Sequence, residues 1–195
     1  MIKLGITGGI GSGKSVVSRL LQAMDIPVYQ TDDEAKRLMV EDSVIRHELC
    51  NLVGNDVYRT DLSLNRPLLA NFIFGYPERL AKVNAIVHPR VKEDFLRWAE
   101  RHNDFPLTGM ECAILYESGF DATVDKVLLV TAPLELRVQR AVKRDSTQAE
   151  QIRKRIKHQW DDTCLANKAD FVVLNDEETP LLPQITKMLQ QLQIL

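Results

Sequence analysis

Short apolar runs alternate with longer amphipathic stretches along the chain, and that alternation predicts an α/β fold. Residues 1–7 (MIKLGIT) read as a first strand and residues 16–24 as the helix after it. Residues 27–31 read as a second strand, entered by Pro27 and closed by Asp32 and Asp33. From 34 to 103 there is almost no strand signal. This stretch is helical in pattern, with breaks at Gly54-Asn55, Asn65-Arg66-Pro67, Gly75-Tyr76-Pro77 and His88-Pro89. It is too long for one crossover helix and predicts a helical subdomain inserted between strands two and three. A third strand lies within 106–116 and ends at Glu117; 126–131 and 170–174 supply the fourth and fifth. Thr179-Pro180 opens a last helix with one apolar stripe through Leu181, Leu182, Ile185, Met188, Leu189 and Leu192. Strands separated by helices imply a mostly parallel five-stranded sheet with right-handed crossovers. Ligands of such a sheet bind at the carboxyl ends of its strands.

The segment between the first strand and the first helix is Gly8-Gly9-Ile10-Gly11-Ser12-Gly13-Lys14-Ser15, which fits G-x-x-x-x-G-K-[ST] in full. Strand, glycine-rich turn and helix are the context in which that pattern holds phosphate. Backbone N–H groups converge on the anion, and the helix N-terminus adds partial positive charge. Lys14 then reaches the β- and γ-phosphates and the Ser15 hydroxyl ligates Mg²⁺. By itself the loop does not separate a kinase from an ATPase or a GTPase.

Two constellations narrow this. Asp32 and Asp33 close the second strand, where a phosphoryl-transfer enzyme needs a carboxylate near its acceptor hydroxyl. Either could instead cap a helix starting near Glu34. Glu117 ends an apolar strand in the manner of a Walker B acid, or is a surface loop acid. Basic residues crowd the region from Arg137 to Lys157, with Arg137, Arg140 and Arg144 spaced to share one helix face. With a phosphate loop in the same chain, this reads as an arginine-bearing lid that excludes water from the transferred group. Asn167-Lys168-Ala169-Asp170 spells N-K-x-D, yet it precedes a strand rather than following one, which argues against guanine recognition. His88-Pro89 alone is explained as the start of a helix.

The rest of the sequence sets bounds. A net charge of −2 over 195 residues gives no sign of a nucleic-acid or membrane partner. Cys50, Cys112 and Cys164 form no metal spacing and fit a reducing, cytoplasmic compartment. The chain starts on a strand, so no signal peptide is expected.

Several separated motifs, in order, resemble the dephospho-coenzyme A kinase family over essentially the whole chain. They are Thr7 to Ser15; Asp32 with Ala35; Arg66, Leu69 and Phe74; Val87-His88-Pro89; Leu115-Tyr116-Glu117; Arg140, Arg144-Asp145, Arg155-Ile156 and Gln159; and Ala169-Asp170 through Asn175. Gln30, Ala113 and Glu177 depart from the family pattern, the last standing where Gly is frequent. The resemblance implies a three-layer P-loop fold with a nucleotide core (1–33, 104–136 and 168–195), a helical acceptor subdomain (34–103) and a lid (137–167). It implies transfer of the ATP γ-phosphoryl to the ribose 3′-hydroxyl of dephospho-coenzyme A. Gly9, Gly11, Ser12, Gly13, Lys14, Ser15 and Val16 would hold the phosphates, Asp32 would accept or orient the 3′-hydroxyl proton, and Arg140, assisted by Arg144, would stabilise the transferred group. Asn175 would lie near the adenine, and Arg66, His88, Leu115 and Glu117 near the acceptor. The partners implied are ATP with Mg²⁺ and dephospho-coenzyme A, on a monomer or weak homo-oligomer. Another small-molecule P-loop kinase, or an ATP-dependent switch without an acceptor, are the alternative readings.

Overall fold

The computed structural model describes residues 1–195. The chain runs β1 (Ile2–Thr7), α1 (Lys14–Ala23), β2 (Val28–Gln30), α2 (Thr31–Glu41), α3 (Ser43–Val53), α4 (Arg66–Ile73) and α5 (Pro77–Arg101). It continues through β3 (Leu107–Glu111), β4 (Lys126–Thr131), α6 (Leu134–Asp145), α7 (Ala149–Lys157), α8 (Asp162–Lys168), β5 (Phe171–Leu174) and α9 (Leu181–Gln191). It divides into two compact units, Met1–Tyr29 with Ala99–Leu195, and Gln30–Trp98.

The first unit is built on one sheet in the order β2-β3-β1-β4-β5. The β1–β3, β1–β4 and β4–β5 pairs are all parallel. β1 sits in the middle, with Ile6 opposite Glu111 on one side and Leu128 on the other. Parallel strands covered on both faces must be apolar throughout, and β4 reads Val127-Leu128-Leu129-Val130, all buried. Leu4, Ile6, Leu128, Val130 and Val173 pack against Val17 and Leu21 of α1 and Ile185, Met188 and Leu189 of α9. The stripe predicted for the last helix is its buried face except at Leu182, which is exposed. Asp170 staples β5 to β4: its Oδ2 accepts from the Val127 N–H at 2.8 Å and its Oδ1 from Lys126 Nζ at 2.8 Å. That work, at the start of a strand, is what the N-K-x-D spelling encodes.

The second unit is helical. α3 is capped by Asp42, whose Oδ1 accepts from the Val44 and Ile45 N–H groups, while Asp42 Oδ2 pairs with Arg90 at 2.8 Å. Asn65 caps α4, with Pro67 in its first turn. Three of the four expected breaks separate helices here. The fourth does not: α5 runs unbroken through His88 and Pro89. Proline removes one helix hydrogen bond and crowds the carbonyl four residues back. Both Pro89 and Ala85 lie on the exposed face, where water can serve that carbonyl.

Two strand ends also differ from expectation. β3 stops at Glu111, six residues before Glu117. Cys112 N–H makes the last ladder bond, to Ile6 O at 2.9 Å, and the chain then turns. The N–H and hydroxyl of Ser118 both bond Ile114 O. β2 stops at Gln30, so α2 begins at Thr31 rather than near Glu34.

No helix of the chain is long and apolar enough to cross a membrane.

Candidate active site

The loop from Gly8 to Gly13 leaves the carboxyl end of the central strand β1 and enters α1. Gly13 precedes α1 in the left-handed region, at φ 93°, with no side-chain cap. No capping side chain stands at the N-terminus of α1, where the helix's partial positive charge favours an anion. Lys14 Nζ bonds Gly8 O at 2.7 Å and Gly9 O at 3.3 Å, which places the ammonium at the mouth of the loop. Ser15 is exposed on the first turn of α1, and Val16 follows it at 37 % exposure. The Ser12 hydroxyl is buried and has no hydrogen-bond partner.

The glycines of this loop are required by the protein's own packing. A Cβ on Gly9 would lie 1.9 Å from Arg137 Nη2, and one on Gly13 would lie 2.0 Å from Asn175 Nδ2. At Gly11, with φ +77°, it would lie 2.1 Å from the Arg137 carbonyl oxygen. Backbone cannot swing aside as a side-chain tip can. Gly11→Ala is expected to lower stability by at least about 2 kcal/mol and to lose any rise in Tm on addition of ATP. Paired melts with and without ATP check this.

Asn175 accounts for how the loop is seated at the β5 side. It is 8 % exposed; its amide Nδ2 donates to Ser12 O at 2.9 Å and its own N–H donates to Thr131 O at 2.8 Å. The resemblance implies a place near adenine for Asn175; its side-chain amide bonds the loop backbone.

The three arginines expected on one face have separate employments. Arg137 is 4 % exposed and reaches under the loop, with Nε bonded to Ile10 O at 3.0 Å and Nη1 to Asp162 Oδ2 at 2.6 Å. Arg140 turns to the loop after β5. Its Nη1 donates to Asn175 O at 3.0 Å, and Nη2 pairs with Glu177 Oε1 at 3.0 Å. Arg144 is exposed and bonds Asp145 at 2.7 Å. Arg144 together with Arg155 holds the Asp145 carboxyl down at about 2. Asp145 thereby ties the end of α6 to α7.

Glu177 stands at φ 72°, left-handed backbone that glycine takes at no cost. Asp176 fixes the turn by accepting from the Glu178 and Thr179 N–H groups. Glu177→Gly relieves this backbone and loses an ion pair whose carboxylate is 64 % exposed, worth about 0–1 kcal/mol. Its Tm is expected within a few degrees of the parent's, and its KM for ATP up to about fivefold lower, because Arg140 has no carboxylate to leave. A raised KM for ATP would show instead that Glu177 helps place the arginine.

The carboxylates need correction. Asp32 and Asp33 do not cap α2: Gln30 holds the cap position and no side chain bonds the first N–H groups. Both aspartates lie in the first turn, where the helix dipole favours negative charge. Asp33 pairs with Lys36 at 2.7 Å; Asp32 is exposed and in no ion pair. The acid at the end of β3 is Glu111, not Glu117. Sequence reading missed Glu111 because the apolar run continues past it, yet its register opposite Ile6 puts it beside the strand that feeds the phosphate loop. Glu117 is exposed on the following turn and accepts from the Trp160 N–H at 3.5 Å. In that turn Tyr116 stacks on Trp160, centroids 5.6 Å apart. Burial pushes the Tyr116 hydroxyl up. Leu115 is fully buried and packs over Gly5 of β1, so its side chain fills the core instead of offering the acceptor a surface. In the second unit, Arg66 is exposed at the start of α4, and His88 is half-buried on α5, where burial pushes its imidazole down.

A family model described as dephospho-CoA kinase matches residues 2–180. The chain belongs to the dephospho-CoA kinase family. A dephospho-CoA kinase of Bacteroides fragilis is 51% identical over 188 residues, covering 96% of this chain and 91% of that protein. One from Porphyromonas gingivalis is 44% identical over 192 residues, covering 97% and 94%. Among solved structures, a Thermus thermophilus protein matches with TM-score 0.81 and 33% identity over 98% of this chain and 96% of its own. The dephospho-CoA kinase of Campylobacter jejuni, 19% identical, matches with TM-score 0.69 over 98% and 95%, a likeness of fold. Membership in this family supports the sheet order and loop described above as those of a P-loop kinase.

Hard oxygen donors suit Mg²⁺, which keeps several waters and takes further ligands from phosphate. The Ser15 hydroxyl and the Glu111 carboxylate, at the ends of neighbouring elements, are such donors. No cluster of three His, Cys, Asp or Glu side chains forms a dedicated metal cage.

Proposed function

We propose that this chain transfers the γ-phosphoryl group of ATP to the ribose 3′-hydroxyl of dephospho-coenzyme A, giving coenzyme A and ADP. The observation that carries the reading is Lys14 at the mouth of a glycine loop that opens α1, in a chain matched along nearly its whole length by dephospho-CoA kinases. Loop N–H groups and Lys14 hold the β- and γ-phosphates. Ser15, backed by Glu111, holds the Mg²⁺ that accompanies ATP; that ion supplies charge neutralisation on the phosphate oxygens. Asp32 accepts or orients the 3′-hydroxyl proton. Arg140 leaves Glu177 to meet the negative charge spreading over the transferred oxygens, with Arg144 assisting from the α6–α7 lid. The helical unit Gln30–Trp98, with Arg66 and His88, offers the acceptor surface. Phosphoryl transfer passes through a loose transition state, so positioning and fixed charge matter more than base strength. ADP release with and without dephospho-coenzyme A tests the reading. Acceptor-dependent release supports it, and slow release indifferent to the acceptor would point to a nucleotide switch.

A further inference from the structure

We propose that Arg137, Asp162 and Gln159 are positioning residues for phosphoryl transfer: together they hold the tip of the phosphate loop and tie it to the end of the α6–α7 lid. The proposal rests on Gly8 to Ser15 being the ATP site.

Ile10 is the tip of that loop, and side chains distant in sequence engage both of its backbone polar groups. Its N–H donates to Gln159 Oε1 at 2.8 Å, and its carbonyl accepts from Arg137 Nε at 3.0 Å. Arg137 is the only Lys or Arg among the buried residues. A buried guanidinium is costly unless it is paired and its donors are used. Asp162 supplies the pairing at 2.6 Å, and the same carboxylate oxygen receives the Thr131 hydroxyl at 3.4 Å. The guanidinium lies so close to Gly9 that no Cβ could stand there, and the Arg137 backbone abuts Gly11 in the same way.

In a phosphate loop the direction of each peptide decides whether its N–H can face the anion, and the Ile10 carbonyl shares its peptide with the Gly11 N–H. An outward carbonyl in a covered position needs a donor behind it. Arg137 is that donor at Ile10, so it sets the direction of the peptide at the loop's tip. Gln159 lies in the connection from α7 to α8, and Asp162 is the first residue of α8. Any displacement of the lid's end is therefore felt at Ile10. Arg137 is buried with its guanidinium bonded to Ile10 O and Asp162, so it acts through the loop, which separates its work from that of Arg140.

Lysine at 137 keeps the charge but not the fork that spans Ile10 and Asp162. Steady-state kinetics, ATP affinity by calorimetry and thermal melts should be measured for Arg137→Lys, Asp162→Asn and Gln159→Leu. Arg137→Lys is expected to weaken ATP affinity and raise KM for ATP about 10- to 100-fold, with KM for dephospho-coenzyme A within about twofold. Asp162→Asn and Gln159→Leu are expected to do the same by about 3- to 10-fold, and they carry the test if the lysine variant does not fold. The double variant Arg137→Lys/Asp162→Asn should be no worse than Arg137→Lys alone, because both act through one pair. A lowered Tm with ATP affinity and both KM values unchanged would make the three residues scaffold only and overturn the proposal. So would equal rises in KM for both substrates. Calorimetry of ATP alone needs no acceptor, so failure here is distinct from failure of the acceptor assignment.

Discussion

Lys14→Ala is expected to lose phosphoryl transfer by about 10³-fold or more, with the fold intact. The side chain is half-buried, and its ammonium bonds the carbonyls of Gly8 and Gly9 at the loop mouth, where the proposed reading puts the β- and γ-phosphates of ATP. In that reading it is a compact point charge beside groups whose negative charge is redistributed in the transition state. Alanine removes that charge without disturbing the glycines, whose seating depends on Arg137 and Asn175. Lys14→Arg should rescue little, because the planar guanidinium is larger and differently directed. Single-turnover rates at saturating ATP check both variants, alongside thermal melts. Turnover near the parent rate in Lys14→Ala would mean that the loop does not act as assigned.

Asp32→Asn is expected to lower kcat by about 10²-fold while ATP affinity stays within about twofold. The low end of the range for general base catalysis applies because the transition state is loose and the hydroxyl need not be deprotonated early. The first turn of α2 presents an exposed carboxylate that no ion pair holds, whereas Asp33 is engaged with Lys36. Asp33→Asn is therefore the matched control and should leave kcat within about twofold. A full rate in Asp32→Asn would remove that residue from the chemistry; a fall in both variants would point to the charge of the helix terminus as a whole.

The strands were legible because buried parallel strands must be apolar along their length, and the phosphate loop because its glycines and lysine are fixed in spacing. What misled was local pattern where distant contacts decide. Ile114 and Leu115 continue the apolar run of β3, yet Leu115 is apolar because it fills space over Gly5 from a turn, so the strand end was set six residues late. Pro89 reads as a break, yet it sits on the exposed face of α5 where its missing hydrogen bond is cheap. The spacing of Arg137, Arg140 and Arg144 did place them on one helix, but spacing carries nothing about Asp162, Asn175 and Glu177, which draw the first two apart. Glu177 itself was readable in part: it stands where glycine is frequent in the family, and its φ of 72° is the physical reason for that glycine.

The central claim is that this loop delivers the γ-phosphoryl of ATP to one hydroxyl of one acceptor. The most direct test is to incubate the protein with γ-labelled ATP, Mg²⁺ and dephospho-coenzyme A, and to locate the label in the product by ³¹P NMR and mass spectrometry. The expected product is coenzyme A with the label in its ribose 3′-phosphate, formed one for one with ADP and absent with Lys14→Ala. Label released as inorganic phosphate, or transferred to another position, would contradict it.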